Sequence, residues 1–485
     1  MKRRLFLKSG FAALAVAGSP NLGQKIIPGI TGSAYGDSRA RLPIPKLLEN
    51  LDKSGETGTF AMEARQGTVE FLKGKATATM GYNGDFLGPT IRVRNGQRFK
   101  FSLKNTLPEV TTLHWHGLHV PAQWDGGPRQ PVAPGTTWKP DLMIRQEAAT
   151  LWYHPHAMGL TGKQVYKGLA GFFLIEDDIS DKLDIPKTYG VDDIPLVIQD
   201  RRFFKDGRFA YVQSMHDIIT GVVGNNLLVN GALHPTLKVH SGLVRLRILN
   251  GSNSSIYRMA FSENRPFQVI ASDGGFLERP AGMNSIVLSA GERVEVLIDF
   301  SGLNRGSEVR LRVEQMGGRS FDAMKIVIDR PPETKSVIPA TLRKLDRIPE
   351  SAADNVRKFV METMSRGLGM MGGRLTINGK RMDINRIDER IKAGSTEIWE
   401  ISNQSGMMMN MPHSMHLHDV QFQILSRNGQ TPQPHERGRK DTVLILPGES
   451  IRIIIQFSDY KGIYMYHCHL LEHEDDGMMG QFEVF

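Results

Sequence analysis

Apolar and polar residues alternate in short runs along most of the chain, with the two-residue period of β-strands. Three segments show the alternation best: PTIRVRNGQRFKFSLKN, PTLKVHSGLVRLRILN and MDINRIDERIKAGSTEIWEISN, which end at Asn105, Asn250 and Asn403. Each consists of an alternating run, a short turn that contains glycine and a second alternating run, so each predicts a pair of strands. The three asparagines are 145 and 153 residues apart.

A second marker repeats at almost the same interval. The segments APGTTW, SAGERVEV and LPGESIRI place Gly135, Gly291 and Gly448 at intervals of 156 and 157 residues. Two independent markers at one interval predict three β units of about 150 residues, the usual size of a domain. Short strands and frequent turns favour Greek-key β-sandwiches, so the predicted fold class is all-β.

At 485 residues the chain is too long for a single hydrophobic core. Two polar, proline-bearing stretches, near 178–192 and near 329–355, are predicted to be linkers. The predicted domains are therefore residues 35–180, 190–332 and 355–485, preceded by a leader of residues 1–34.

The leader has a sequence pattern of its own. MKRRLFLKSGFAALAVAGSP carries Arg3 and Arg4, then a weakly apolar run of about ten residues that is too short to span a bilayer. The pattern resembles a twin-arginine export signal; the alternative is a frayed basic tail. The resemblance implies the Tat export machinery as a partner, a periplasmic location and no permanent membrane insertion. Cleavage could follow Ala17 or Ala34.

The net charge of +9 does not indicate a nucleic-acid-binding protein. The leader holds five basic residues and no acidic residue, which leaves 55 basic and 51 acidic residues in the remainder. No concentrated basic stripe accompanies this small excess, so we expect no nucleic acid as a partner.

The 15 histidines concentrate in four short segments. Ten of them lie in LHWHG, WYHPHAMG, PHSMHLHDVQF and YHCHLLEHEDDGMM, and the last segment also holds Cys468, the single cysteine. Alternate residues of a strand share one face. Cys468 is therefore out of step with His467 and His469, and His413 is out of step with the two histidines that follow it. This parity predicts two metal sites, back to back.

The first predicted site takes His413, Cys468, His473 and Met478. Two imidazoles, one thiolate and a weak thioether are the ligand set of a blue-copper electron-transfer centre. Because the chain has one cysteine, that residue cannot belong to an internal disulfide. The backbone of Cys468 leads directly to the histidines on either side, which gives electrons a short covalent route to the second site.

Eight imidazoles remain for the second predicted site: His114, His116, His154, His156, His416, His418, His467 and His469. They are too many for one ion, and shared among three coppers they give two or three each. The first and third units contribute equal numbers, so we expect this site at their interface, with the middle unit as a spacer. The alternatives are histidines that only pack or hydrogen-bond, and zinc, which needs about four ligands and no methionine.

The motifs HWHG, HPH, HxxHxH and HCHxxxHxxxxM resemble the four signature segments of the multicopper oxidases. This resemblance implies three cupredoxin-like domains, four copper ions per chain and the reduction of O2 to water. It assigns the first site to type 1 copper and assigns His114 and His416 to type 2 copper. The type 3 copper pair takes His116, His154, His156, His418, His467 and His469.

Two acidic residues match proton donors of that family. Asp125 lies in WDGGP, and Glu474 lies in HEDDG beside the type 1 segment. The resemblance therefore implies that both supply protons for O2 reduction. The alternative for each is a solvated loop acid or a helix cap.

Methionine suggests the substrate. The chain has 23 methionines, and two groups of them lie in VMETMSRGLGMMGG and in GMMMNMP, just before His413. A thioether is a soft ligand that selects Cu(I), although methionine also fills gaps in cores. We expect Met364, Met409 and Met411 to bind the substrate.

HCHLLEHEDDGMM and PHSMHLHDVQFQILSRNG resemble the bacterial periplasmic copper-tolerance oxidases, which oxidise Cu(I) to Cu(II). The chain departs from that subfamily in two ways. Only the short stretch 361–373 stands where a long insert rich in methionine and histidine is expected. Met409 also replaces an acidic substrate ligand, while Met411 keeps its place.

Three functions follow from the sequence. The leading one is a monomeric periplasmic cuprous oxidase whose partners are O2 and Cu(I). The second is a laccase-like oxidase of phenols or other small organic reductants. The third is a copper-free structural protein of cupredoxin fold, such as the exported cell-division proteins, and retention of all twelve ligands argues against it. A copper nitrite reductase would need fewer histidines.

Overall fold

The alternating runs form β-strands in the computed structural model, which describes residues 26–29, 40–331, 337–363, 375–404 and 410–485. In the strand Arg98–Asn105, for example, Phe99, Phe101 and Leu103 are buried while Lys100 faces outward. Sheets built from such strands bury one face each and pack in pairs around a core. The all-β prediction is confirmed.

The first unit has two sheets around one core of aromatic and aliphatic side chains. One sheet has the order β2-β1-β4-β6, with β7 also on β4, and the other has the order β3-β9-β8-β5. The elements are β1 (Thr57–Leu72), β2 (Lys75–Tyr82), β3 (Ile91–Arg94), β4 (Arg98–Asn105), β5 (His114–His116), β6 (Thr137–Trp138), β7 (Asp141–Met143), β8 (Ala149–His154), α1 (Thr161–Lys167), β9 (Gly171–Glu176) and α2 (Asp178–Lys182).

The middle unit has a sheet of seven strands and a sheet of five around a second core. Their orders are β12-β11-β10-β14-β19-β16-β17 and β13-β21-β20-β15-β18. The elements are β10 (Asp193–Arg201), α3 (Met215–Thr220), β11 (Asn226–Val229), β12 (Ala232–Leu233), β13 (Thr236–His240), β14 (Leu243–Asn250), β15 (Tyr257–Phe261), β16 (Phe267–Ser272), β17 (Gly275–Met283), β18 (Ser285–Leu288), β19 (Arg293–Asp299), β20 (Glu308–Gln315) and β21 (Ser320–Arg330).

The third unit has two five-stranded sheets around a third core. Their orders are β23-β22-β25-β29-β27 and β24-β31-β30-β26-β28. The elements are β22 (Asn355–Thr363), β23 (Leu375–Ile377), β24 (Glu389–Ile391), β25 (Thr396–Gln404), β26 (His413–Leu417), β27 (Phe422–Arg427), β28 (Thr442–Ile445), β29 (Ser450–Gln456), β30 (Gly462–Cys468), α4 (Leu471–Asp475) and β31 (Met479–Val484). Short 3-10 helices lie at Ala122–Trp124, Ser262–Asn264, Glu350–Ala352 and Pro434–Glu436.

The two sequence markers contact each other in every unit. Each marker asparagine is buried, and its side-chain amide donates to two backbone carbonyls. Each marker glycine has a positive φ, which favours glycine, and its N–H donates to the carbonyl of the asparagine. The N···O distances are 2.7 Å for Gly135 to Asn105, 2.9 Å for Gly291 to Asn250 and 2.9 Å for Gly448 to Asn403.

The two strands of each predicted pair do not bond to each other. In the first unit β3 pairs with β9 while β4 pairs in parallel with β1, in the opposite sheet. The same separation holds for β13 and β14, and for β24 and β25. The glycine turn therefore carries the chain across the core, from one sheet to the other.

Most of the predicted leader, residues 1–34, lies outside the described residues. Its residues 26–29 contact the middle unit, where the N–H of Ile27 donates to the carbonyl of Phe203 at 2.9 Å. The domain boundaries stay predictions, and each pair of sheets falls within one predicted range. Within the described ranges, no helix has the length and apolar character needed to cross a membrane.

Candidate metal centre

Two antiparallel strand pairs carry most of the predicted ligands. In the first unit β5 pairs with β8, so that His114 lies opposite His154. In the third unit β26 pairs with β30, so that His416 lies opposite His467. All twelve predicted ligands are at most 1% exposed.

Two stacked imidazole pairs join the first unit to the third. The ring centroids of His116 and His416 are 3.7 Å apart, and those of His114 and His418 are 3.8 Å apart. The eight-histidine cluster therefore lies between these two units, where the sequence places it.

The other four predicted ligands form a separate buried group. Sγ of Cys468 lies 3.5 Å from Nδ1 of His413 and 3.6 Å from Nδ1 of His473. Met478 belongs to the same core cluster as Cys468, and its carbonyl accepts the N–H of Cys468 at 3.0 Å. Cys468 connects this group covalently to the cluster, because His467 and His469 belong to the cluster.

Within the cluster, one group of three imidazoles is tight. Nε2 of His467 lies 3.1 Å from Nε2 of His156 and 3.2 Å from Nε2 of His418. Three nitrogens that converge in this way suit one ion of low coordination number.

The remaining five imidazoles form a second triplet and a pair. Nδ1 of His116 lies 3.3 Å from Nε2 of His154, and the ring of His469 is 4.8 Å and 5.4 Å from those two rings. The pair consists of His114 and His416, whose ring centroids are 5.8 Å apart. The ligand nitrogens of His114 also group with those of His116 and His154, and with those of His416 and His418, so the groups that could hold an ion overlap.

Backbone carbonyls fix the proton on the outer nitrogen of several imidazoles and leave the inner nitrogen with a lone pair. The N···O distances are 2.9 Å for His114 to Asp125, 2.8 Å for His416 to Asp441, 2.8 Å for His154 to Pro155 and 2.9 Å for His473 to Ile219. These contacts aim the inner nitrogens at the interior of the cluster or at Cys468.

Among the described residues, some of the inner nitrogens have no hydrogen-bond partner. They are Nε2 of His114, of His416 and of His469. A buried polar atom without a partner costs about 1–3 kcal/mol. A bound metal ion would use these lone pairs, so the arrangement fits a metal better than a hydrogen-bonded core.

The protonation of the ligands also fits a metal. Burial lowers the pKa of His116, His156 and His416 well below the usual value, so these imidazoles are neutral. Burial raises the pKa of the Cys468 thiol to about 12, so a metal ion is needed to hold it as a thiolate. Imidazoles with one thiolate and one thioether suit copper.

The two predicted proton donors each lie between two imidazoles. Oδ2 of Asp125 is 2.8 Å from Nδ1 of His418, and Oδ1 is 3.4 Å from Nδ1 of His114. The carboxylate oxygens of Glu474 are 3.3 Å from Nδ1 of His156 and 3.3 Å from Nδ1 of His467.

The surroundings of these two acids differ. Burial acts to raise the pKa of Asp125, but His418 and His114 outweigh it and hold the pKa below its usual range. Burial, together with the charge of Asp475, raises the pKa of Glu474 well above its usual value.

Sequence reasoning missed several side chains that contact the ligands, among them Thr442, whose Oγ1 lies 2.9 Å from Nε2 of His116 and 3.1 Å from Nδ1 of His416. Oδ1 of Asp441 lies 3.0 Å from Nε2 of His116, and Oγ1 of Thr363 lies 3.1 Å from Nε2 of His413. All three lie outside the histidine segments, and no periodicity or motif distinguishes them. Only the packing of the sheets brings them to the site.

The methionines divide between core and site. Met361 is fully buried in β22 and belongs to the third core, so it fills space there. Met411 is 8% exposed, and its carbonyl accepts the side-chain amide of Asn403. The predicted substrate ligands Met364 and Met409 lie outside the described residues.

Comparison with known proteins gives consistent matches along the chain. Three family profiles, each described as multicopper oxidase, match residues 63–180, 203–307 and 351–485. The multicopper oxidase mco of Staphylococcus aureus is 38% identical over 91% of this chain and 92% of its own. The cell division protein FtsP of Escherichia coli (strain K12) is 34% identical over 100% of this chain and 99% of its own.

Solved structures of related proteins share the architecture. A laccase from Pediococcus acidilactici has a TM-score of 0.84 and 38% identity, over 92% of this chain and 94% of its own. A multicopper oxidase from Campylobacter jejuni, described as a metallo-oxidase, has a TM-score of 0.83 and 29% identity, over 97% and 99%. The predicted cupredoxin-like β-sandwich fold is confirmed by these likenesses.

Proposed function

Because this chain belongs to the multicopper oxidase family and is an oxidoreductase, we propose that it is a cuprous oxidase of the periplasm. The proposed reaction oxidises four Cu(I) ions to Cu(II), one electron each, and uses four protons to reduce one O2 to two waters. Removal of Cu(I) in this way would give the cell copper tolerance.

The oxidase chemistry rests on one observation. Eight buried imidazoles lie beside a separate buried thiol group, and some of their inner nitrogens have no hydrogen-bond partner among the described residues. We propose four copper ions per chain. One binds His413, Cys468, His473 and Met478, and the others bind the triplets and the pair of the cluster. Copper bound at these positions supplies one-electron redox chemistry and the place where O2 is reduced.

The protein's own contribution is connection and shielding. Cys468 has its sulfur in one group and its two neighbours in the other, so the shortest covalent connection between the groups runs through this residue. The cluster is closed to bulk water, since each of its imidazoles is at most 1% exposed. A closed site hinders the loss of partly reduced oxygen.

Protons must enter this closed site through side chains. Asp125 and Glu474 are in place for that task, because each lies within 3.3 Å of an imidazole on its own side of the cluster. We assign both to proton delivery. Glu474, whose pKa is raised, holds a proton to donate, whereas Asp125, whose pKa is lowered, is a carboxylate that accepts protons and passes them on. Asp125 stands beside the pair and one triplet, and Glu474 stands beside that triplet alone.

Methionine near His413 supports Cu(I) as the substrate. Met411 precedes His413 by two residues, and Thr363, which contacts His413, is followed directly by Met364. Both methionine-bearing segments therefore adjoin the same imidazole, and thioethers select Cu(I). The metallo-oxidase from Campylobacter jejuni is a related precedent. Met364, Met409 and Met411 are the proposed ligands.

The second candidate is a laccase-like oxidase of phenols, which the likeness to the Pediococcus laccase favours. Oxygen uptake measured side by side with Cu(I), ferrous iron and a phenol separates the two. We expect the fastest uptake with Cu(I), and phenol turnover that rises when copper is added. Strong phenol oxidation that is independent of added copper would replace the first candidate with the second.

A variant sharpens this comparison. Met411→Leu keeps the volume and removes the thioether, so it should raise the KM for Cu(I) and leave phenol turnover unchanged. Met361→Leu is the matched control, because this methionine lies in the core. Equal effects of both variants on Cu(I) would contradict the assignment of Met411.

The likeness to FtsP raises a third possibility, a structural role without copper. Metal analysis of the purified protein decides this point. We expect four copper ions and a blue colour. A colourless protein that takes up no copper on reconstitution would favour the structural role.

A further inference from the structure

The turn 289–293 of the middle unit reaches the histidine cluster, although the middle unit supplies none of the twelve predicted ligands. The turn joins β18 to β19 and contains the marker Gly291. Two residues after the marker glycine, the first and third units have Thr137 and Ser450, both exposed. The middle unit instead has Arg293, which is 1% exposed. The middle unit therefore differs from the other two at this position.

Arg293 bonds to all three units. Its guanidinium has five N–H donors, and five acceptors are in place. Nη1 and Nη2 donate to the carboxylate of Asp441 in the third unit, at 2.7 Å and 2.6 Å. Nε donates to the carbonyl of Thr150 in the first unit at 3.1 Å. The remaining two donors reach the carbonyls of Gly291 and Asp273, both at 3.1 Å.

Asp441, which Arg293 holds in place, bonds in turn to two imidazoles. Its Oδ1 accepts from Nε2 of His116 at 3.0 Å, which leaves Nδ1 of that ring for the triplet with His154. Its backbone carbonyl accepts from Nδ1 of His416 at 2.8 Å, which leaves Nε2 of that ring for the pair. Thr442, the next residue, contacts the same two nitrogens through its Oγ1, at 2.9 Å and 3.1 Å, and bonds to Oδ1 of Asp441 at 2.8 Å. The position of Asp441 and its neighbour therefore sets the direction of one nitrogen in the triplet and one in the pair.

The same turn also forms a wall for His469. Among the described residues, neither nitrogen of this ring has a hydrogen-bond partner on another residue, so packing contributes to its orientation. A Cβ atom on Gly291 would lie 2.9 Å from Nδ1 of His469, which shows how closely the backbone of the turn covers the ring. Trp152 of the first unit, at 5.5 Å between ring centroids, packs against the same ring.

We propose that Arg293 is a positioning residue for the oxygen-reducing copper ions: it locks Asp441 and thereby aims His116 and His416, while its turn holds His469. This inference rests on the proposed copper set. It gives the middle unit a part in the chemistry, beyond the predicted role of spacer. A lysine could keep the charge, but it lacks the planar fork that matches a carboxylate.

The test compares Arg293→Lys with Arg245→Lys in the full-length, copper-loaded protein. Arg245 is also buried in the middle unit and is paired with Glu295, but among the described residues it makes no hydrogen bond or ion pair with a predicted ligand. Substitution of a residue that orients a metal ligand typically costs about 10–100-fold in metal affinity or activity. We expect Arg293→Lys to lower the type 2 copper signal in electron paramagnetic resonance and to slow O2 reduction by about tenfold or more. Its blue absorption should be unchanged. Arg245→Lys should keep all three properties.

Unchanged type 2 and type 3 signals in Arg293→Lys would overturn the proposal, and so would equal losses in both variants. If Arg293→Lys does not fold, Asp441→Asn tests the same ion pair. This variant should also lose type 2 copper signal while its blue absorption stays unchanged. A normal type 2 signal in that variant would then overturn it. Wild-type protein that binds only the type 1 copper would defeat the proposed copper set and this inference together. Wild-type protein with all four coppers that does not oxidise Cu(I) would defeat only the proposed substrate.

Discussion

Cys468 lies directly opposite Met415 on the paired strands β30 and β26, and both side chains are fully buried. Sγ of Cys468 is 3.5 Å from Nδ1 of His413, whereas Met415 packs in the third core. The two neighbours offer a matched pair of substitutions, one at the proposed copper ligand and one in the packing beside it.

Cys468→Ser should abolish the blue colour and the turnover while leaving the fold intact. A serine hydroxyl replaces the thiol with little change in volume, but it does not form the thiolate bond that gives the colour. Visible absorption, oxygen uptake and far-ultraviolet circular dichroism measure the three properties. Met415→Leu, a volume-conserving change that costs less than about 1.5 kcal/mol, should stay blue and active. A blue, active Cys468→Ser protein would disprove the assignment.

Asp125→Asn and Glu474→Gln should slow the reduction of O2 without affecting the colour. General acid–base groups contribute about 10²–10⁴-fold, so a loss of that order is expected for each. Stopped-flow reoxidation of the reduced protein by O2 measures the step. Asp476→Asn is the control, because it makes the same charge change in the same segment, beside Arg381 at 3.2 Å. Equal rates in all three variants would refute the role in proton delivery.

Glu472→Gln should loosen the attachment of α4, which carries the proposed type 1 copper ligand His473. The buried carboxylate of Glu472 accepts from N–H of Val222 at 3.0 Å, Nδ2 of Asn253 at 2.8 Å and Oγ of Ser254 at 2.5 Å, all in the middle unit. The glutamine side chain has one oxygen acceptor and one NH2 group, so its NH2 group would face an N–H or O–H donor. We expect this to cost about 1–3 kcal/mol in the free energy of unfolding. We expect a lower melting temperature of the copper-free protein and a shifted blue absorption. An unchanged melting temperature would show that these hydrogen bonds of Glu472 do not stabilise the protein.

Asn250→Ala should destabilise the middle unit without removing a copper ligand. The side-chain amide donates to the carbonyls of Ser255 and Leu288 at 2.8 Å and 2.9 Å, so its loss leaves two buried acceptors unpaired. The expected cost is about 1–3 kcal/mol in the free energy of unfolding. Urea unfolding of the copper-free protein measures it. Asn304→Ala, on the exposed surface of the same unit, should cost less than about 0.5 kcal/mol.

Replacement of Arg3 and Arg4 by lysine should stop export. The change keeps the positive charge and removes the arginine pair on which the predicted twin-arginine signal depends. Cell fractionation should then find the protein in the cytoplasm with its leader uncleaved. Lys8→Arg is the control and should leave export unaffected. Periplasmic recovery of the double variant would contradict the proposed route.

Alternation and motif spacing were enough to predict the all-β fold and the residues that the structure gathers at the site. Alternation fixes which face of a strand is buried, because that depends on one strand alone. It does not fix the partner strand, so the separation of β3 from β4 into opposite sheets was not predictable. The contact between Arg293 and Asp441, 148 residues apart, also depends on how whole units dock.

Half of the cluster imidazoles precede residue 157 and the other half follow residue 415, with the whole middle unit between them. A chain that ends anywhere in that span would lack the four imidazoles of the third unit. The proposed reduction of oxygen therefore requires that translation has reached the third unit, because only then are all eight imidazoles present in one molecule.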